Sequence, residues 1–150
     1  DASFDAALML KSLHHVPAAR MDVALGEIAR VLVPGGRLYV SEPVFEGPFN
    51  EIMRLFHDEQ AARAAALAAL RRARERGVLE QVEERRFVAP IAFRDFDDFV
   101  ERMVRVTYAD HAPGELLLAE LRRRFDAHLG PGGARFERPM RVNLMRRPAP

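Results

Sequence analysis

The chain contains no cysteine. That excludes a disulfide framework, thiolate chemistry and any zinc site built on Cys ligands. It also lacks a charge imbalance: 23 Lys and Arg face 22 Asp and Glu, for a net charge of +1. Nothing electrostatic therefore points to nucleic acid or to anionic membranes. No apolar run approaches the roughly 20 residues needed to span a bilayer. Asp1-Ala2-Ser3-Phe4-Asp5 carries no basic region ahead of an apolar core. No signal peptide is expected there, and a cytoplasmic location is. What is present is ordinary for a globular protein: 150 residues, 49% apolar and 30% charged, one domain's worth of chain with a core of its own.

The stretch from Phe4 to Val44 organises the rest. Ala6 to Leu10 is a continuous apolar run, the pattern of a parallel-sheet strand covered on both faces. Pro17 suits the first turn of a helix. Met21, Ala24, Leu25, Ile28, Val31 and Leu32 recur at helical spacing. Pro34-Gly35-Gly36 is expected to end that helix and turn the chain into a second strand, Leu38-Tyr39-Val40, finishing near Glu42-Pro43. Strand, helix and strand make a parallel βαβ unit.

Beyond Gly47-Pro48 a long helical stretch is expected, with Asn50 as its N-cap and Gly77 as its stop. The alanines between Ala61 and Arg76 give helix propensity but little contact surface, which suits a lid. Arg71, Arg72, Arg74 and Arg76 read as its solvated face. Val82 to Phe93, interrupted by Pro90, reads as an edge strand. Asp95 to Met103 reads as a short helix, with Asp98 and Glu101 at capping-box spacing. Val104 to Tyr108 reads as a strand. Leu117, Leu121, Phe125 and Leu129 mark one face of a further helix, Gly130 to Gly133 a break, and Phe136 to Met145 a last strand. The expected organisation is a single partial domain over 1–150: a βαβ core over 1–46, a lid-like helical segment over 47–81, and strands and helices over 82–150.

Three blocks together resemble the class I SAM-dependent methyltransferases: Phe4-Asp5-Ala6-Ala7-Leu8, Ser12-Leu13-His14-His15-Val16, and Ala29-Arg30-Val31-Leu32-Val33-Pro34-Gly35-Gly36-Arg37-Leu38. The match is to the second half of that fold. It implies an α/β chain, half of a doubly wound Rossmann-like sheet. This half holds the fourth to seventh strands, the last one antiparallel, with covering helices. Val104 to Tyr108 and Phe136 to Met145 are similar to the sixth and seventh strands. The Gly-rich turn and the acidic residue that cradle the cofactor in that family precede this region and have no counterpart here. Gly35-Gly36 and Gly130 to Gly133 both lead into strands rather than helix N-termini.

The resemblance implies S-adenosyl-L-methionine as cofactor, with Lys11, Ser12 and Leu13 at the strand's C-terminal end contacting it. His14 and His15 are candidate catalytic bases, since imidazole titrates near neutral pH. Adjacent histidines are expected to point apart. Glu42 and His57 are candidate substrate-pocket residues, although Glu42 could equally tie down the Pro43 turn. His57-Asp58-Glu59 reads as a solvated helix face, and no metal is expected. The implied parent is a methyltransferase acting on a small-molecule acceptor, with this chain alone expected to be inactive. The alternative is a non-catalytic assembly module. In either case the edge of the Ala6–Leu10 strand would lack its neighbour, and a homodimer through that edge is expected.

Overall fold

The apolar run near the N-terminus forms strand β1 (Phe4–Leu10) in a computed structural model that describes residues 2–105 and 114–149. Two 3-10 turns come next, Leu13–His15 and Ala18–Arg20, and then helix α1 (Met21–Val31) and strand β2 (Leu32–Pro43). β1 and β2 pair in parallel, as a βαβ unit requires.

Pro34-Gly35-Gly36 does not end the helix. α1 stops at Val31 and β2 begins at Leu32, so the three residues lie inside the strand. The register jumps from Phe4 opposite Leu32 to Ala6 opposite Arg37, which makes this stretch a bulge. Gly35 supplies the left-handed φ of +80°. A Cβ on Gly36 would stand 2.8 Å from the Val33 carbonyl oxygen. The family-like Pro-Gly-Gly is therefore a strand device.

After β2 come α2 (Gly47–Met53) and α3 (Gln60–Glu75), two helices where one long one was expected. Asn50 lies inside α2 and donates from its side chain to the Glu46 carbonyl, 2.6 Å away. β3 (Glu80–Phe93) is next, then a short helix α4 (Phe96–Phe99) running into a π-helical turn, Val100–Val104. The N-cap of α4 is Asp95, whose carboxylate accepts from the Asp98 N–H, while Asp98 accepts in return from the Arg94 N–H. The capping box thus sits one turn earlier than Asp98 and Glu101 implied. Val104 ends the π turn rather than opening a strand, and residues 106–108 of that expected strand lie outside the described residues. α5 (Glu115–Asp126) buries Leu121 and Phe125 as expected. Leu129 belongs instead to a two-residue strand, β4 (Leu129–Gly130), hairpinned to β5 (Gly133–Arg146).

Among the described residues the strands form one mixed sheet in the order β1–β2–β5–β3, with β4 against β5. β5 runs antiparallel to β2. The place beyond β5 is taken by β3. Among the described residues no helix is long and apolar enough to cross a membrane.

The chain divides into two compact units. The first comprises Asp1–Phe45, Glu59–Phe87 and Pro139–Pro150. Ala7 and Met9 of β1 and Leu38 and Val40 of β2 line one sheet face, against Leu25 and Ala29 of α1 and Ala66, Ala69 and Ala73 of α3. α3 is thus a core helix rather than a thin cover: its alanines let two backbones approach closely. Arg72 clamps α3 to α1 through a two-pronged contact with Asp22, and Arg76 joins it at 3.1 Å. The second unit, Glu46–Asp58 and Val88–Arg138, is built on an aromatic cluster. Phe125 stacks within 5.2 to 6.1 Å of Phe99, Phe96, Phe136 and Phe93.

Candidate functional site

At the C-terminal end of β1 the chain must leave the strand within one residue to enter the 3-10 turn. Lys11 takes the strain, with φ of +52°. A side chain rarely adopts that conformation, and such residues concentrate at functional sites. The Lys11 N–H is held by the Ser41 carbonyl at 2.7 Å, so the bend is fixed to the neighbouring strand.

Glu42, at the end of β2, locks the Leu13–His15 turn in place. Its Oε1 accepts from the backbone N–H of Ser12 at 3.2 Å and of Leu13 at 2.8 Å, and its Oε2 accepts a short bond from His14 Nδ1–H. The carboxylate caps a turn whose first N–H groups have no partner of their own. Glu42 and His14 are only 5% and 6% exposed. On the other side of the ring, His14 Nε2 faces Glu59 Oε1 at 3.4 Å, and Glu59 Oε2 accepts from Arg63 at 2.7 Å. Glu59 immediately precedes α3, where the helix dipole favours a negative charge.

The charges settle one another. Burial alone would push the His14 imidazole down, but its hydrogen bonds to Glu42 and then Glu59 outweigh that and raise its pKa to about 9. Burial would raise Glu59, yet the bonds from His14 and Arg63 hold it well below the usual carboxylate range. His14 is therefore an imidazolium at neutral pH, between two carboxylates. It can position and donate, but it has no lone pair with which to take a proton.

His15 is exposed, and its ring centroid lies 4.1 Å from that of His14. The two rings do not point apart. A 3-10 turn, unlike an extended strand, does not send neighbouring side chains to opposite faces. The turn thus gathers Ser12, Leu13, His14, His15 and Glu42, with Lys11 at its entrance. Leu13 is fully buried and its N–H is taken, so Lys11, Ser12 and His15 are the groups that face outward. His57 is exposed after α2 and belongs to the other unit. His57-Asp58-Glu59 is not a solvated helix face: the three lie in the connection before α3, and Glu59 is turned in against His14 and Arg63. Sequence reasoning thus misses Glu59 and Arg63 as members of this cluster. Their one signal is the i, i+4 Glu-to-Arg spacing at the start of α3.

Residues 1–40, which contain this turn, match the family model of a methyltransferase domain. The fold as a whole is similar to a putative methyltransferase from Bacillus halodurans, at 19% identity and a TM-score of 0.62, covering 99% of this chain and 66% of that one. It is also similar to the YcgJ protein of Bacillus subtilis, at 16% identity and a TM-score of 0.59, covering 100% of this chain and 66% of that one. A third similar structure is a cyclase, SpnF, at 21% identity and a TM-score of 0.50, covering 100% of this chain and 52% of that one. The chain therefore has the class I methyltransferase fold, and its N-terminal 40 residues carry the sequence pattern of a methyltransferase domain. It spans just under two thirds of the length of two of these structures and about half of the third.

Proposed function

We propose that the chain is the substrate-side part of a SAM-dependent methyltransferase acting on a small-molecule acceptor. The observation that carries this reading is the locked rim: a strained Lys11 and a turn pinned by Glu42, at the sheet edge where open α/β folds bind ligands. Lys11 and Ser12 would contact S-adenosyl-L-methionine, and Leu13 would serve by holding the turn. The methyl group would pass from the sulfonium to the acceptor, leaving S-adenosylhomocysteine. His15, exposed beside the turn, would accept the proton that the acceptor loses, and His14 would position it. Glu42 would act on substrate only through the turn it holds. Such transfer rests chiefly on positioning and on desolvating the sulfonium. A cytoplasmic location accompanies this reading.

The chain alone would bind cofactor weakly or not at all. Gly35-Gly36 forms the β2 bulge and Gly130 to Gly133 the β4–β5 hairpin, so neither opens a helix that could cradle a charged group. Calorimetric titration of the 150-residue chain with S-adenosyl-L-methionine tests this. No saturable heat is expected at micromolar concentration, and saturable one-to-one binding would overturn the assignment of the cradle elsewhere.

A second reading is a non-catalytic assembly module built on the same fold. It draws on β1, which ends the sheet with Phe4, Leu8 and Leu10 at 57%, 69% and 58% exposure. Paired with a second copy across a twofold, this edge would form a homodimer. That the cyclase SpnF is also similar in fold keeps the reading open, because fold does not fix chemistry.

A further inference from the structure

We propose that His14, His15 and Glu59 form a binding site for a divalent zinc-like cation within the first unit. One ligand atom from each of the three lies within 4.8 Å of the others. The pairwise geometry is more telling. His14 Nε2 and Glu59 Oε1 stand 3.4 Å apart. With zinc–nitrogen and zinc–oxygen bonds of about 2.0–2.1 Å, two donors at that separation subtend about 110° at the ion, the tetrahedral angle. An octahedral facial triad with bonds of similar length would need them at about 2.9 Å. The spacing fits a tetrahedral pair at zinc bond lengths, and the two imidazole nitrogens disfavour a hard cation such as calcium, whose longer bonds give the same separation.

Both ligands are already oriented from behind. Nδ1–H of His14 is committed to Glu42, which directs Nε2 at Glu59, and Glu42 is itself anchored by the Ser12 and Leu13 N–H groups. Glu59 is oriented in turn by Arg63, which contacts its Oε2 at 2.7 Å. Metal-bound histidines and carboxylates characteristically have such outer partners. The third ligand, His15, is exposed and can close the remaining gap by side-chain rotation. Three protein donors leave a fourth position for water or an incoming ligand. Binding would release the proton from His14 Nε2.

The competing explanation is a direct ion pair between His14 and Glu59, which gives His15 no part. His15 therefore discriminates. The inference is independent of methyl transfer, since the readout requires neither cofactor nor acceptor. The two roles of the His15 ring belong to different states: proton acceptance to the metal-free chain and coordination to the zinc-bound one, and the titration reads only the second.

The test is a zinc titration of the untagged 150-residue chain in competition with a chromophoric chelator. One zinc per chain is expected, with micromolar or tighter affinity. His15→Ala and Glu59→Gln should each weaken it at least tenfold, and Glu42→Gln by about 10- to 100-fold through loss of ring orientation. Circular dichroism would establish that each variant is folded, and His15→Ala, at an exposed position, should be. Cobalt(II) in place of zinc should give the intense visible absorption of tetrahedral coordination. Failure to take up one equivalent, or unchanged affinity in His15→Ala, overturns the site.

Discussion

His14 and Glu42 stand 28 residues apart in the chain and share a buried hydrogen bond that fixes the turn after β1 to the end of β2. Glu42 is the acceptor for three donors at once, two of them backbone N–H groups. A glutamine there keeps one acceptor oxygen but removes the charge beside a buried imidazolium, a loss of about 3 kcal/mol at the lower end of the range for breaking a buried pair. Glu42→Gln should therefore lower stability by about 3 kcal/mol in urea unfolding. His15→Ala, at an exposed position beside it, should change stability by less than about 0.5 kcal/mol. Equal effects would mean that Glu42 does not hold the turn.

Phe125 is fully buried at the centre of the second unit, in contact with four other phenylalanine rings. Phe125→Ala should cost about 3–5 kcal/mol, the range for removing a large core aromatic. Phe125→Leu should recover much of that. Chemical denaturation monitored by circular dichroism measures both.

The reciprocal cap on α4 makes a pH prediction. The backbone N–H of Arg94, helped by Arg102, holds the Asp98 carboxyl below its ordinary value. A depressed carboxyl contributes stability that is fully present above the unfolded-state pKa. That contribution is lost as pH falls through the lower folded-state value. Urea midpoints taken from pH 6 down to pH 3 should fall less steeply in Asp98→Asn than in the parent chain. Identical slopes would contradict the cap.

Edge pairing is tested by charge. Leu8 projects from the end strand with two thirds of its surface exposed, and a lysine there should block pairing while leaving the fold intact. Light scattering should report a dimer for the parent chain at micromolar concentration and a monomer for Leu8→Lys. A monomeric parent chain would exclude the homodimer.

Much of this fold is legible in the sequence, and the misses have physical causes. β1, α1, β3 and β5 are readable because their apolar spacing matches one secondary-structure period. Pro34-Gly35-Gly36 reads as a helix stop, since the same residues that end a helix also make a strand bulge. Only the partner strand's register, with Asp5 facing the bulge, distinguishes the two. α3 reads as a cover because alanine buries little area, but small side chains are what let it enter the core beside α1. In the site, Ser12, Leu13, His14, His15 and Glu42 stand out from the resemblance and the strand ends. Glu59 and Arg63 do not, because their meeting with His14 depends on where α3 packs, which no local pattern records.

Photolabelling with methyl-labelled S-adenosyl-L-methionine, read by intact mass on the protein isolated from its own cells, separates the two functional readings. The methyltransferase reading predicts a labelled species with a mass above the 17.0 kDa of this chain, the label competed away by S-adenosylhomocysteine. An unlabelled cellular protein of 17.0 kDa would contradict it and leave the assembly module.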